Sequence, residues 1–167
     1  MKVKSTIHKI HVKMLVLLGR AIDVGSGGIY PSDELSNFMP YQFTFRGIVF
    51  NSMESLLQGL KFEDVDKQNR IFALIGKAAK RKGKMGKWYL TQTLFWQGNP
   101  MERESSQYEN FIREAYDALA ENVEFKKALL ATGNKKLYHT IGKSKLQRTI
   151  LTEKEFCTIL TELRNKL

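Results

Sequence analysis

The segment from Phe50 to Phe62 constrains the fold most, because two kinds of side chain repeat along it at helical spacing. Apolar residues recur three or four positions apart and predict a helix with one buried face. They are Met53, Leu56, Leu57 and Leu60. Glu54, Gln58 and Lys61 stand at i, i+4 and i+7, so they share a neighbouring stripe of the same helix. Such a stripe is either solvated surface or one wall of a pocket.

The chain before this segment favours strands and turns. The apolar run within residues 7–18 predicts a short strand entering the core, although its irregular spacing leaves a helix open. His8 and His11 would then lie at a solvent-exposed end of that strand. Tyr41 to Phe50 alternates aromatic and polar residues around Arg46-Gly47, which predicts a β-hairpin that turns at this dipeptide.

The rest of the chain predicts helices with recognisable caps. Ser52 caps a helix to about Phe62, and Asp64 or Asp66 caps a second helix through Ala79. Three later caps are Ser106 with Glu109, Asn122 before a helix that ends at Gly133, and Thr152 with Glu155. We therefore expect an α+β fold for residues 1–167, a compact single domain, mainly helical, with a small antiparallel β element in its N-terminal third.

Charge and cysteine content restrict the classes of function. Lysine and arginine number 27 against 17 aspartates and glutamates, a net charge of +10. This charge either attracts anions such as polyphosphates and nucleic acid or keeps the surface soluble. One cysteine, Cys157, excludes an intramolecular disulfide and a cysteine-based zinc site, and it suits the cytosol. We expect no metal, no cofactor, no membrane-spanning helix and no membrane partner.

Four ordered blocks resemble the YbiA-like (NADAR) superfamily over roughly residues 35–163. The family pattern is a Ser-Asn-Phe element before a helix that opens with Ser-x-Glu and continues to Gln-x-x-Lys-Phe. Matching residues are Ser36, Asn37 and Phe38, then Ser52, Glu54, Gln58, Lys61 and Phe62. Similar blocks follow at residues 76–80, at Trp88 with residues 91–94, and at residues 125–133.

One departure from the family pattern concerns the segment after the last block. Many members carry a Trp-Gly element preceded by an acidic residue there. This chain reads Leu-Tyr-His-Thr-Ile-Gly-Lys over residues 137–143, with no tryptophan or acid. The chain resembles a distinct branch that ends in Thr-Glu-x-Glu-Phe-Cys, here Thr152 to Cys157.

The resemblance implies hydrolysis of an N-glycosidic bond. The substrate would be an ADP-ribosyl conjugate such as an ADP-ribosylated base, or a phosphoribosylamine of the riboflavin-pathway type. Glu54 would be the carboxylate that stabilises positive charge on the sugar. Lys61 would either protonate the departing group or, if desolvated, attack an opened sugar aldehyde to form a Schiff base.

The same resemblance names substrate-binding residues, each with a structural alternative. They are Ser36, Asn37, Phe38, Gln58, Lys80, Trp88 and His139. Asn37 could instead cap its own turn, Trp88 could pack in the core, and His139, expected after a helix end, could be structural. The basic stretch from Lys77 to Lys87 predicts either a mobile phosphate-binding loop or a solvated surface. The alternative function is a non-catalytic module that binds ADP-ribose or nucleic acid through this basic surface.

Overall fold

Seven helices and six short strands make up residues 2–167, the part of the chain that the computed structural model describes, with side chains described from residue 6. The helices are α1 Lys2–Leu17, α2 Met53–Gly59, α3 Val65–Phe72, α4 Gly76–Gly83, α5 Ser106–Leu119, α6 Val123–Ala131 and α7 Glu153–Lys166. The strands are β1 Ala21–Asp23, β2 Phe43–Phe45, β3 Ile48–Phe50, β4 Thr93–Trp96, β5 Asn99–Glu102 and β6 Lys136–Tyr138. This arrangement confirms the α+β class and the excess of helix.

The predicted hairpin is present and turns where the sequence indicates. Strands β2 and β3 pair antiparallel, with Phe43 opposite Phe50. Arg46 and Gly47 both have positive φ, at 47° and 78°, as a two-residue hairpin turn of the mirror-image type requires. The rings of Phe43 and Phe50 stack across the hairpin and contribute to the main hydrophobic core.

Two further strand pairs were not predicted. Strands β4 and β5 form a second antiparallel hairpin, and β1 pairs with β6 in parallel. In the β1–β6 pair Ala21 lies opposite Lys136, so its two strands come from opposite ends of the chain. The partners β1 and β6 are distant in the sequence, so no local pattern marks their pairing.

Helix α2 is the centre of the fold, because every residue from Met53 to Gly59 is buried. The Ser52 hydroxyl caps it by accepting a hydrogen bond from the backbone N–H of Ser55. The helix ends at Gly59, three residues before the predicted end. A side chain at Gly59 would lie 2.7 Å from Cδ1 of Phe72, so this glycine lets α3 pack close against α2.

The N-terminal apolar run forms a helix, so the predicted strand was wrong. Helix α1 ends at Leu17, and Gly19 with φ of 68° turns the chain into β1. The spacing of Ile7, Ile10 and Met14 fits a helix, since gaps of three and four residues repeat on one helical face. His8 and His11 therefore lie on a helix, where both are exposed.

The helix predicted from Asp64 or Asp66 through Ala79 is divided into α3 and α4. Asp64 caps α3 as predicted, by accepting the backbone N–H of Lys67. The chain then breaks before Gly76, which has a positive φ of 42°. A Cβ at this position would lie 2.5 Å from the carbonyl oxygen of Phe38, so close approach of two backbone segments sets the break.

The later caps were mostly predicted. Asn122 caps α6 and Thr152 forms a capping box with Glu155 at the start of α7, both as expected. The cap of α5 is Ser105, not Ser106, because the Ser105 hydroxyl accepts the backbone N–H of Tyr108. No helix among the described residues is long and apolar enough to cross a membrane.

Arg103 joins the end of β5 to the start of α7 through a buried ion pair. Its guanidinium donates two hydrogen bonds to Glu155, at 3.0 and 2.7 Å, and a third to the carbonyl oxygen of Thr149 at 3.0 Å. The Arg103 side chain is 1% exposed. Burial raises the pKa of Glu155, but hydrogen bonds from Arg103 and Thr152 outweigh it and hold that pKa below its ordinary value.

We expect Arg103→Ala to lower the free energy of unfolding by about 2–4 kcal/mol, because it leaves Glu155 without its buried partner. Arg113→Ala is the matched control, since Arg113 pairs with Glu109 and Glu162 at the surface and should cost less than about 1 kcal/mol. Urea denaturation measures both changes. Equal losses in the free energy of unfolding would contradict a larger contribution from the pair of Arg103 with Glu155.

The difference in the free energy of unfolding between wild type and Arg103→Ala should depend on pH, because the pKa of Glu155 is lowered. Its contribution to stability is present above the ordinary value of 4.5 and is lost as pH falls through the lower pKa of the folded state. The gap between wild type and Arg103→Ala should therefore shrink when denaturation is repeated at progressively lower pH below 4.5.

Candidate active site

A cavity of about 330 Å³ opens beside α2 and α4. Its other walls come from residues 36–38, from Trp88 and from the segment that follows β6. The structure brings all nine residues named from the sequence to this cavity. They are Ser36, Asn37, Phe38, Glu54, Gln58, Lys61, Lys80, Trp88 and His139.

Glu54 lies in the first turn of α2, where the positive end of the helix dipole favours a negative charge. It is 5% exposed, yet it lines the cavity. Its Oε1 accepts a hydrogen bond from Gln58 Nε2 at 2.8 Å and lies 3.5 Å from Lys80 Nζ. A buried carboxylate needs such partners, and with them Glu54 still forms part of the cavity wall.

Lys61 joins the same chain of hydrogen bonds through Gln58. Its Nζ donates to Gln58 Oε1 at 2.6 Å, so the amide of Gln58 separates the carboxylate from the ammonium. Burial lowers the pKa of Lys61 from 10.5 to about 8; Glu54 opposes this shift, while Lys80 and Lys143 add to it. A lysine with this pKa has an appreciable neutral fraction near pH 7.

Two glycines let helix α4 and the turn after it approach the polar stripe of α2. A Cβ at Gly83 would lie 2.7 Å from both Cβ and Cδ of Gln58. A Cβ at Gly86 would lie 2.6 Å from Cβ of Lys61. A larger residue at Gly83 would displace Gln58, and one at Gly86 would displace Lys61.

Asn37 is oriented by a buried tyrosine. The hydroxyl of Tyr116 donates to Asn37 Oδ1 at 2.7 Å, and burial raises the pKa of Tyr116, so the hydroxyl keeps its proton. The Asn37 carbonyl oxygen also accepts the backbone N–H of Glu54 at 2.9 Å. Its side-chain oxygen is thereby occupied by a donor from the core, which leaves the amide nitrogen as the group available to the cavity.

Ser36 and Phe38 form the turn around Asn37. The Ser36 hydroxyl accepts the backbone N–H of Phe38 at 3.3 Å, and Lys80 Nζ lies 5.0 Å from the centre of the Phe38 ring. Phe38 and Lys80 therefore form a cation–π pair at the cavity wall.

Trp88 packs in the core, one of the two uses considered from the sequence, and its side chain also reaches the cavity, while stacking on a base stays a prediction. Its side chain belongs to the main hydrophobic core and is 7% exposed, and it also lines the cavity. The basic stretch before it is not a mobile loop over most of its length, because Lys77 to Lys82 lie in α4. Helical structure fixes Lys80 toward Glu54.

His139 follows strand β6 rather than a helix end, which corrects the expected location. Its Nδ1 lies 2.6 Å from the carbonyl oxygen of Val24, a distance that assigns the proton to Nδ1 as donor. The ring also packs edge-on against Phe156, with 5.0 Å between the two ring centres. The contacts with Val24 and Phe156 together fix the orientation of the imidazole.

Three cations at the rim lie outside the nine named residues, although Lys84 belongs to the basic stretch for which phosphate binding was one prediction. Lys84, Lys143 and Arg148 line the cavity together with Lys61 and Lys80, while Glu54 supplies a carboxylate. Lys143 ends the segment of residues 137–143 that departs from the family pattern, and Arg148 lies after that segment. The family pattern therefore predicted neither residue. Within the described residues no cluster of three or more histidine, cysteine, aspartate or glutamate side chains could hold a metal ion.

Three comparisons with known proteins agree with this architecture. The family described as bacteriophage protein GP30.3 matches residues 29–165. An uncharacterized 17.1 kDa protein in the Gp30-rIII intergenic region of Enterobacteria phage T4 is 38% identical over 122 residues, which cover 72% of this chain and 80% of that protein. The NMR structure of the E. coli protein YbiA superposes with a TM-score of 0.60 at 19% identity, over 88% of this chain and 84% of that one.

We expect an NMR titration of 13C-labelled lysine to find Lys61 with a pKa of about 8 in the wild type. Lys80→Met should raise that pKa, because it removes a neighbouring positive charge, and Glu54→Gln should lower it, because it removes the opposing carboxylate. Lys82→Met, on the exposed side of the same helix, is the control and should leave it unchanged. If Lys61 of the wild type titrates near 10.5, burial does not lower its pKa and the prediction is wrong.

Proposed function

Since the chain belongs to the family of bacteriophage protein GP30.3 and has the fold of YbiA, we propose that it is an N-glycosidase acting on an ADP-ribosyl or phosphoribosyl conjugate. The observation that carries the proposal is the placement of a buried carboxylate, Glu54, and a half-buried amine of lowered pKa, Lys61, along one cavity wall. An amine whose pKa is lowered in a cleft is typical of catalytic sites.

The positive rim supports a phosphorylated substrate. Lys80, Lys84, Lys143 and Arg148 surround an opening that contains one carboxylate, Glu54, among the described lining residues. Cations so placed favour a phosphate or diphosphate attached to the ribose. Trp88 and Phe38 offer aromatic surface for a base, since a base can stack on any aromatic face.

Glu54 would act where positive charge develops. As the bond between C1′ of the ribose and the nitrogen of the leaving group breaks, C1′ gains oxocarbenium character, and a carboxylate held in a site of low polarity stabilises it. The oxygen of a water molecule then bonds to C1′. One of its protons stays on the new hydroxyl and the other ends on the departing nitrogen.

Lys61 would act as a nucleophile in its neutral form. In this route the C1′–O4′ bond breaks, O4′ takes up a proton and C1′ becomes an imine of the base nitrogen. The amine of Lys61 adds to C1′, its protons pass to the base nitrogen and the base leaves; water then hydrolyses the lysine imine, which releases the sugar and restores the amine. The lowered pKa favours this route, because about a tenth of the lysine is neutral at pH 7 when its pKa is about 8. In the other route a protonated Lys61 donates its proton to the leaving nitrogen.

A second candidate is a binding module without catalysis. The hydrogen bonds of Glu54 and Lys61 are satisfied through Gln58 inside the protein, an arrangement that a structural role would also produce. The basic rim would then bind ADP-ribose or a nucleic-acid backbone in a salt-dependent manner. A cytosolic location and nucleic acid as a partner stay predictions under either function.

We expect Glu54→Gln to lose at least about 100-fold in turnover, because it removes the charge that stabilises the transition state. Wild type and variant are offered ADP-ribosylated guanine in nucleic acid and a phosphoribosylamine pyrimidine, and mass spectrometry detects free ADP-ribose or ribose phosphate. Glu63→Gln is the control, since it makes the same change at an exposed position that does not line the cavity. Full activity of Glu54→Gln would refute the mechanism, and binding without product from wild type would favour the module.

The pH dependence of kcat/KM distinguishes the two roles of Lys61. We expect the rate to rise with pH through about 8, because the Schiff-base route needs the neutral amine. Borohydride should then trap a covalent sugar adduct on wild type, and Lys61→Ala should give none. A rate that falls through the same pH range, with nothing trapped, would assign Lys61 to proton donation.

A further inference from the structure

Helix α1 presents apolar side chains to solvent on the side away from the protein body. Its inner side packs against β1 through Val12, which is 1% exposed. On its outer side Ile7, Ile10, Met14 and Leu17 are 61%, 57%, 56% and 81% exposed. We call these four residues the outer stripe. A helix that is apolar on the side facing water has a surface that a partner can cover.

The outer stripe is continuous along one face of the helix. Its members are separated by three, four and three residues, the spacing that places side chains above one another. From Ile7 to Leu17 the stripe extends over about 15 Å, at the rise of 1.5 Å per helical residue. This geometry suits contact with a flat apolar layer along the length of the helix.

The charge of α1 has a single sign. The sequence of the helix contains four lysines and two histidines, and no aspartate or glutamate. Lys9 and Lys13 are exposed and lie one position before Ile10 and Met14, so they flank one side of the outer stripe. An apolar stripe edged by lysines is the pattern of helices that lie in the interface of an anionic lipid layer.

We propose that α1 binds this protein peripherally to an anionic phospholipid surface. The outer stripe would enter the boundary between head groups and acyl chains, and the lysines would contact the phosphates. A second copy of α1 would bring a second set of lysines and no acid to balance them, and a nucleic acid would leave the stripe in water. An anionic lipid layer offers phosphates to the lysines and acyl chains to the outer stripe.

This proposal does not conflict with the finding that the helices in the described part of the chain are too short or too polar to cross a membrane. A helix that lies in the interface needs an apolar face, whereas a spanning helix needs about 20 apolar residues. The proposal differs from the expectation of no membrane partner, and vesicle binding decides between the two. Residues 29–165 match the phage family, so α1 lies outside the matched region and the proposal does not depend on the proposed catalysis.

Flotation of the full chain with lipid vesicles tests the proposal. We expect wild type to bind vesicles of phosphatidylcholine with about one third phosphatidylglycerol, and to bind phosphatidylcholine alone at least about tenfold more weakly. Ile10→Ser with Met14→Ser should weaken binding to the anionic vesicles at least about tenfold, since two apolar side chains that would enter the lipid are lost. Lys9→Gln with Lys13→Gln should weaken it as well, and added salt should do the same to wild type.

The matched control is Ile29→Ser, which makes the same change at a residue 84% exposed outside α1 and should bind like wild type. Circular dichroism checks that each variant is folded. Absence of vesicle binding by wild type, or equal binding by the outer-stripe variant, would overturn the proposal. A concentration-dependent dimer in size-exclusion chromatography that the outer-stripe variant abolishes would also overturn it and assign the stripe to self-association.

Discussion

The carboxylate of Glu54 sits in a helix whose residues are all buried, and the surrounding structure is organised to satisfy it. A buried charge without partners is costly, so its neighbours must supply hydrogen-bond donors and positive potential. Gln58 supplies an amide from the next turn, Lys80 supplies an ammonium from α4, and the helix N-terminus supplies its dipole. Each of these depends on α2 and α4 lying close together.

Ser52 and two glycines produce that close approach. The Ser52 hydroxyl accepts the N–H of Ser55 at the start of α2 and the N–H of Gly76 at the start of α4, so one buried oxygen joins the first turns of both helices. Gly83 and Gly86 then remove the side chains that would separate the end of α4 from the polar stripe. The break before Gly76, which sequence patterns did not reveal, is thus part of the construction of the site.

Local patterns predicted the parts of the site that lie on one helix. The stripe of Glu54, Gln58 and Lys61 follows from helical periodicity alone, because residues four and three apart share a face. Asn37 and His139 could be connected to it only through the family resemblance, since contacts between distant segments leave no periodic signal. The pairing of β1 with β6 and the rim cation Arg148 escaped prediction for the same reason.

The amide of Gln58 gives the two ends of the stripe separate chemical properties. A carboxylate in direct contact with an ammonium would hold the lysine in its charged form, because an opposite charge raises the pKa of a lysine. Here the amide carbonyl accepts from Lys61 while its nitrogen donates to Glu54, so the opposing effect of the carboxylate is smaller than that of burial. The lysine keeps a lowered pKa and the carboxylate keeps its place beside the cavity. Helical spacing of i, i+4 and i+7 therefore places a carboxylate and an amine of lowered pKa in one site with the amide of Gln58 between them.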